Sequence, residues 1–213
     1  MQKLGVLRVD KIGILTYHYS NNYGGVLQSY ALYRYLESQV VDVEIIDYVP
    51  SSYKPDNLIH NILTTLGLRK NPLNVDPSDF IPRSMARRIR AKKVYNHVIG
   101  YAFDSFRNLC FKLSVRVDEN DINAILSEYC SIIVGSDQIW GPVQRGRTIY
   151  FLDFDEFNGN KISYAADSTI AEISEEHLDK LRKELRDFDR ISVRNKHSQK
   201  FVETVIGEKP PIV

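Results

Sequence analysis

Short apolar runs alternate along this chain with amphipathic stretches, and polar turns separate them. Lys11–Thr16 is a continuous apolar run of strand length, as expected for a strand covered on both faces. A polar turn follows, and residues from Gly25 to about Ser38 read as a helix. Its apolar positions, Val26, Leu27, Tyr30, Ala31, Leu32, Tyr33 and Leu36, lie around most of the circumference, which predicts deep burial. Val41–Tyr48 alternates and then turns apolar, and reads as a second strand. Strand, helix and strand within about 38 residues form a βαβ unit with a right-handed crossover.

The pattern weakens from Val49 to Pro82, where Pro50, Pro55, Pro72, Pro77 and Pro82 interrupt it, leaving room for one short helix near Leu58–Leu66. Arg83 to Phe111 reads as a long helix with Val94, Val98, Tyr101, Ala102, Phe106 and Leu109 as its apolar positions. Further on, Asp118–Tyr129 reads as a helix with an acidic start, Ser131–Gly135 as a buried strand, Tyr150–Phe154 as a short extended run and Lys161–Ala166 as a strand. Ser174 is placed to cap a helix with the stripe Leu178, Leu181, Leu185 and Phe188. Ile191–Arg194 reads as a strand and Lys196–Val205 as a short helix. Alternating strands and helices predict an α/β, Rossmann-like, doubly wound and mostly parallel sheet. Residues 1–10 form an N-terminal extension to a domain at 11–206, which carries a helical excursion at about 50–115. The closing Pro210-Pro211-Ile212-Val213 resembles the entry to another strand, so 207–213 is expected to be a linker into a second domain missing from this chain.

Composition narrows the function classes. With 213 residues and a net charge of +1, no global field favours nucleic acid or membrane. No apolar run is long enough to span a bilayer, and the first ten residues carry no secretory signal, so a cytoplasmic location is expected. Cys110 and Cys130 lack metal-binding spacing and sit in apolar surroundings, which reads as buried free thiols. No histidine falls at metal spacing, so no metal is expected. Between Arg69 and Lys93 eight basic residues (Arg69, Lys70, Arg83, Arg87, Arg88, Arg90, Lys92, Lys93) face two acids, Asp76 and Asp79. A solvated helix face or a contact with an anionic partner fits this run, including peripheral membrane contact through Arg83–Lys93. No aromatic residue interleaves its dense part, Arg83–Lys93, which argues against single-stranded nucleic acid.

In parallel sheets ligands bind outside the carboxyl ends of the strands. That rule selects four loops: residues 17–25, 136–148, 166–173 and the segment after Val193. The first has neither a dinucleotide fingerprint nor a P-loop pattern. Gly24 and Gly25 permit close backbone approach at a helix start, and Asn21, Asn22 and Gln28 offer donors and acceptors suited to sugar hydroxyls. A helix cap with a tight turn is the alternative. In the second loop, Gly135-Ser136-Asp137-Gln138-Ile139-Trp140, Asp137 stands just past a buried strand, where a carboxylate acts as general base or acceptor. Trp140, the single tryptophan, either stacks on a sugar or fills core, and Asp137 either acts on a ligand or caps a turn. Arg194 points at the same edge, for phosphate or carboxylate binding or for an ion pair with the next helix. His18 is a weaker acid–base candidate, since a lone loop histidine more often serves structure.

The blocks KIGILTYHYSNNYGGVLQSYAL, VEIIDY, VGSDQIW, YFLDF, KISYAA and ISVR, in this order, resemble the polysaccharide pyruvyl transferase family. The resemblance runs from about Lys11 to Arg194 and skips the excursion; the NNYGGVLQSYAL and GSDQIW blocks are the specific ones. It implies the N-terminal, acceptor-side half of a two-domain GT-B-like enzyme. Such enzymes move the enolpyruvyl unit of phosphoenolpyruvate onto two sugar hydroxyls as a pyruvate ketal, in surface polysaccharide synthesis. Phosphoenolpyruvate is then a donor substrate, and no cofactor is implied. The acceptor is a sugar or lipid-linked glycan. The resemblance implies Asp137 as the acid–base carboxylate. Asn21, Asn22, Tyr23, Gly24, Gly25, Gln28, Ser136 and Gln138 become acceptor contacts, Trp140 a sugar platform and Arg194 a donor contact. Where relatives carry a glycine-containing turn after SYAA, this chain has Asp167, Ser168 and Thr169. The chain alone is expected to be inactive without a second domain or subunit. A non-catalytic sugar- or partner-binding module and half of a nucleotide-sugar glycosyltransferase remain the alternatives.

Overall fold

The computed structural model describes residues 11–39, 42–53, 98–141, 148–154, 157–170, 173 and 175–213. The N-terminal extension, the candidate helix near 58–66 and the basic run lie outside them, apart from the ends of the long predicted helix noted below. The chain divides into two compact units, Met1–Pro50 with Cys110–Val213, and Ser51–Leu109.

In the first unit five strands form one sheet: β1 (Lys11–Leu15), β2 (Asp42–Ile45), β3 (Ser131–Gly135), β4 (Asn160–Ala166) and β5 (Arg190–Val193). Their order is β2-β1-β3-β4-β5 and every pairing is parallel. The fold is thus α/β and Rossmann-like. The helices among the described residues of this unit are α1 (Tyr23–Ser38), α2 (Glu175–Arg186) and α3 (Lys196–Ile206). β1 is followed in the sheet by β2 on one side and by β3 on the other, so the strand order reverses between β1 and β3. Such a switch point leaves a crevice at the carboxyl ends of the two strands.

The central strands read as apolar runs because both faces are covered: every residue of β3 is buried. Glu44, inside β2, is buried too, and its carboxylate is satisfied by Lys11 Nζ at 2.7 Å and by the Tyr129 hydroxyl, which donates at 2.7 Å. Gly135 ends β3 at φ +124°, where a Cβ would stand 1.9 Å from the Tyr164 carbonyl oxygen, so only glycine fits between β3 and β4. β4 carries a bulge between Ser163 and Ala166, with Ala165 in the left-handed region at φ 48°. Ser192 stitches that bulge: its hydroxyl donates to the Ser163 carbonyl at 3.0 Å and accepts from the Ala165 N–H at 3.2 Å.

Several elements differ from expectation. α1 is not buried all round: Gly25, Val26, Ser29, Leu32 and Tyr33 form its inner face, while Tyr23, Leu27 and Tyr35 are 60%, 53% and 63% exposed. Small polar Ser29 sits inside because its hydroxyl returns to the Gly25 carbonyl at 2.7 Å, so residue polarity does not separate the two faces. The predicted helix at 118–129 is a 3-10 segment, Ile122–Glu128, and the run at 150–154 begins as a 3-10 turn, Thr148–Phe151. Both cysteines are free, and both are half-buried rather than buried. The chain end does extend along β5, with Ile212 in a parallel bridge to Val193.

In the second unit residues 98–109 are helical, continuing to 110. This is the described part of the long helix expected at 83–111. Its buried ring is Phe103, while Val98, Tyr101, Ala102 and Leu109 of the predicted stripe are exposed. Arg107 lies over the Phe103 ring at 5.8 Å and pairs with Asp104 at 2.7 Å.

Candidate active site at the carboxyl edge of the sheet

The crevice between β1 and β3 is built from α1 and the loops after β3, β4 and β5. Asn22 caps α1, accepting from the Gly25 N–H at 3.2 Å, so its side-chain oxygen serves the helix rather than a ligand. Asn21, Asn22, Tyr23 and Gly24 are all exposed on this turn. Gly25, one step on, is buried beneath the β3 loop. A Cβ built there would lie 2.7 Å from Asp137 Oδ2. Only the bare Cα lets that carboxylate settle on the first turn of α1, where the helix dipole favours negative charge.

Asp137 is half-buried. Its Oδ1 accepts from the Gln138 N–H at 2.8 Å, and its carbonyl accepts from the Asp167 N–H at 3.0 Å. Gln28 projects from the next turn of α1. With its amide oriented to satisfy both neighbours, the nitrogen donates to the Ser136 carbonyl and the oxygen accepts from Arg194 Nη2 at 3.1 Å. Arg194 is 42% exposed, and its Nη1 stands 3.9 Å from Asp167 Oδ2. Its own N–H donates to the Ala166 carbonyl at 3.1 Å. Thus Gly25, Gln28, Ser136, Asp137 and Arg194, far apart in sequence, meet at one edge. Gln138 stands exposed beside them.

Trp140 does not join this group. It is 0% exposed, stacked on Phe151 at 5.7 Å, with Phe188 and Phe201 also around it, and its indole N–H donates to the Tyr150 carbonyl at 3.2 Å. A ring so enclosed offers no face to a sugar, and Trp140 belongs to the core. His18 is likewise enclosed: its Nδ1 lies 3.3 Å from the Thr16 carbonyl and its Nε2 2.9 Å from Asp47 Oδ1. Asp47 also accepts from Arg116 Nε at 2.9 Å. Burial works against the Asp47 carboxylate, but the hydrogen bonds and charges of His18 and Arg116 outweigh it and hold the carboxyl below its ordinary range.

Three residues that the sequence reading leaves unassigned complete the cluster. Asp167 Oδ1 accepts from Asn195 Nδ2 and from Ser198 Oγ, each at 2.8 Å. Ser198 is fully buried and also accepts from the Ser168 N–H at 2.9 Å. Asn195 caps α3 by accepting from the Ser198 N–H. A signal for Asp167 exists: like Asp137 it is an acid just past a parallel strand.

Chemically, the edge combines a half-buried carboxylate, able to take up or release a proton, with a part-exposed guanidinium suited to an anion. A cavity of about 430 Å³ lies at the other end of the sheet, among Asp153, Phe157, Lys161, Glu184 and Asp189, away from these groups. Among the described residues no cluster of acids, histidines or cysteines could hold a metal ion, and no helix is long and apolar enough to cross a membrane.

Comparison with known proteins supplies one finding. Searches of curated proteins and of solved structures each returned no match. The family model described as polysaccharide pyruvyl transferase matches residues 22–213, from the cap of α1 through the loops after β3, β4 and β5 to the last residue. The chain belongs to the polysaccharide pyruvyl transferase family.

Proposed function

We propose that this chain is the acceptor-side half of an enzyme that transfers enolpyruvate from phosphoenolpyruvate to a sugar. The donor's methylene carbon gains a proton to become the ketal methyl group. Two sugar hydroxyl oxygens bond to the adjacent carbon, and its bond to the phosphate oxygen breaks. Of the two hydroxyl protons, one balances the new methyl group and the other leaves with phosphate. A carboxylate beside the acceptor is needed to relay them, and Asp137 is the candidate. Asn21, Tyr23 and Gln138, exposed around it, are the proposed hydroxyl contacts. Arg194 is the proposed donor contact. The single observation that carries the reading is the seating of Asp137 on Gly25 at the sheet's switch point, within the same hydrogen-bonded group as Arg194.

Phosphate and carboxylate on one small donor call for more cationic partners than Arg194. We assign these to a second Rossmann-like half facing this edge, in a GT-B-like arrangement. The 213-residue chain by itself is therefore expected not to turn over. The acceptor, a sugar or lipid-linked glycan in surface polysaccharide synthesis, would place the protein on the cytoplasmic side of a membrane.

Thermal-shift titration tests the reading with phosphoenolpyruvate, a panel of hexoses and N-acetylhexosamines, and nucleotide sugars. Stabilisation by a sugar, reduced in Asp137→Asn, is the expected result. Stabilisation by a nucleotide sugar instead would replace the reading with a glycosyltransferase. Phosphate release by this chain alone, abolished by Asp137→Asn, would overturn the need for a second half.

A further inference from the structure

From the hydrogen bond and the ion pair around Arg194 we infer that Gln28 and Asp167 are positioning residues that hold its guanidinium at the site. The inference rests on the proposed reading of Arg194 as a donor contact.

An arginine side chain on a loop has freedom at several bonds, and an anion that binds it must first restrain them. Here that restraint is built into the protein from two sides. Gln28 uses both ends of its amide, the nitrogen on the Ser136 carbonyl and the oxygen on Arg194 Nη2 at 3.1 Å. Its amide therefore ties α1 to the β3 loop and to the segment after β5 at once. It is spent on protein partners, which makes it a positioning group rather than a contact for acceptor hydroxyls. On the other side Asp167 Oδ2 stands 3.9 Å from Nη1. Asp167 cannot swing away, since its second oxygen is held by Asn195 and by the fully buried Ser198 at 2.8 Å each. The guanidinium is hydrogen-bonded at Nη2 and faces a fixed carboxylate at Nη1, and yet remains 42% exposed. That exposed part is what an incoming phosphate or carboxylate would meet.

The test uses the full chain and reads Arg194 directly. Its guanidinium N–H signals in the nitrogen–proton NMR spectrum are assigned by their loss in Arg194→Lys. Gln28→Met keeps length and removes the amide. Asp167→Asn keeps the oxygen that Ser198 and Asn195 need and removes the charge. Wild type is expected to show slowly exchanging Arg194 N–H signals. In Gln28→Met they collapse into rapid exchange while the melting temperature stays close to wild type, and in Asp167→Asn the exchange quickens. Absence of protected signals in wild type, or their persistence in Gln28→Met, overturns the inference. If Gln28→Met does not fold, Gln28→Glu decides: it still accepts from Arg194 but repels the Ser136 carbonyl, so the signals stay protected if the clamp is real and exchange freely if it is not.

Phosphoenolpyruvate is then titrated against these signals in wild type, and against the backbone N–H signal of Arg194 in both wild type and Gln28→Met. A shift in wild type that needs about tenfold more ligand in Gln28→Met supports both the clamp and the donor role, the size following from losing one hydrogen bond to a charged group. Protected signals that never respond to phosphoenolpyruvate remove the donor reading of Arg194 and leave the clamp standing. Equal affinities in wild type and Gln28→Met remove the positioning role and leave the donor reading standing.

Discussion

A methyl group at position 25 would occupy the space of the Asp137 carboxylate. Because the atom it meets is the end of a flexible side chain, Gly25→Ala is expected to keep the fold, even gaining up to about 1 kcal/mol from helix propensity. It should nonetheless drive Asp137 off the first turn of α1. Calorimetry together with the side-chain carboxyl carbon shift of Asp137 checks both halves of that expectation. Gly135→Ala is the opposite case: its Cβ would meet the Tyr164 backbone oxygen at 1.9 Å in a conformation that side chains avoid. Unfolding by denaturant should show a loss of more than about 3 kcal/mol. At this scale the position of Asp137 is legible in sequence, because an acid after a buried apolar run stands at the carboxyl edge of the sheet. Asp167 carries the same signal after β4, yet its role depends on Asn195 and Ser198, about thirty positions away, and no local pattern reports that pairing.

Two asparagines start two helices, and they do different amounts of work. Asn22 accepts one hydrogen bond, from the Gly25 N–H, so Asn22→Ala should cost about 1 kcal/mol in thermal unfolding. Asn195 caps α3 and also fixes Asp167, so Asn195→Ala should cost more, about 2 kcal/mol, and should loosen the loop after β4. Hydrogen exchange at Asp167 and Ser168 reads the second effect; an equal cost at both caps would refute the dual role of Asn195. Element type is largely legible from periodicity, since the buried strands appear as apolar runs. Element faces are less so. α1 presents Leu27 outward and Ser29 inward, because the wall it packs on decides which side is inner. The segments at 122–128 and 148–151 form 3-10 turns where their patterns predict a helix and an extended run.

For the whole molecule, the joint of β1, β2 and the segment at 114–116 is made at Asp47. It gathers His18 Nε2, Arg116 Nε and, at its own N–H, the Ser114 hydroxyl. Since its folded carboxyl lies below the ordinary value, the stability it contributes is complete above about pH 4 and is lost as pH falls through the lower folded value. Asp47→Asn is expected to lower stability at neutral pH by about 2 kcal/mol, less than for a fully buried pair because Arg116 is largely exposed. The variant's stability should then fall less steeply than wild type below pH 4 in denaturant titrations at stepped pH. A parallel acid limb in both proteins would remove Asp47 from the account. The sequence by itself determined the α/β class and the family, because strand runs, turn residues and ordered motif blocks are local properties of the chain. Tertiary structure alone decided that the order reverses between β1 and β3 and that Trp140 goes to the core. It also decided that Gly25, Gln28, Asp137 and Arg194 share one edge. Those outcomes rest on contacts between residues far apart in the chain, which depend on how the strands are ordered and not on what any one segment prefers.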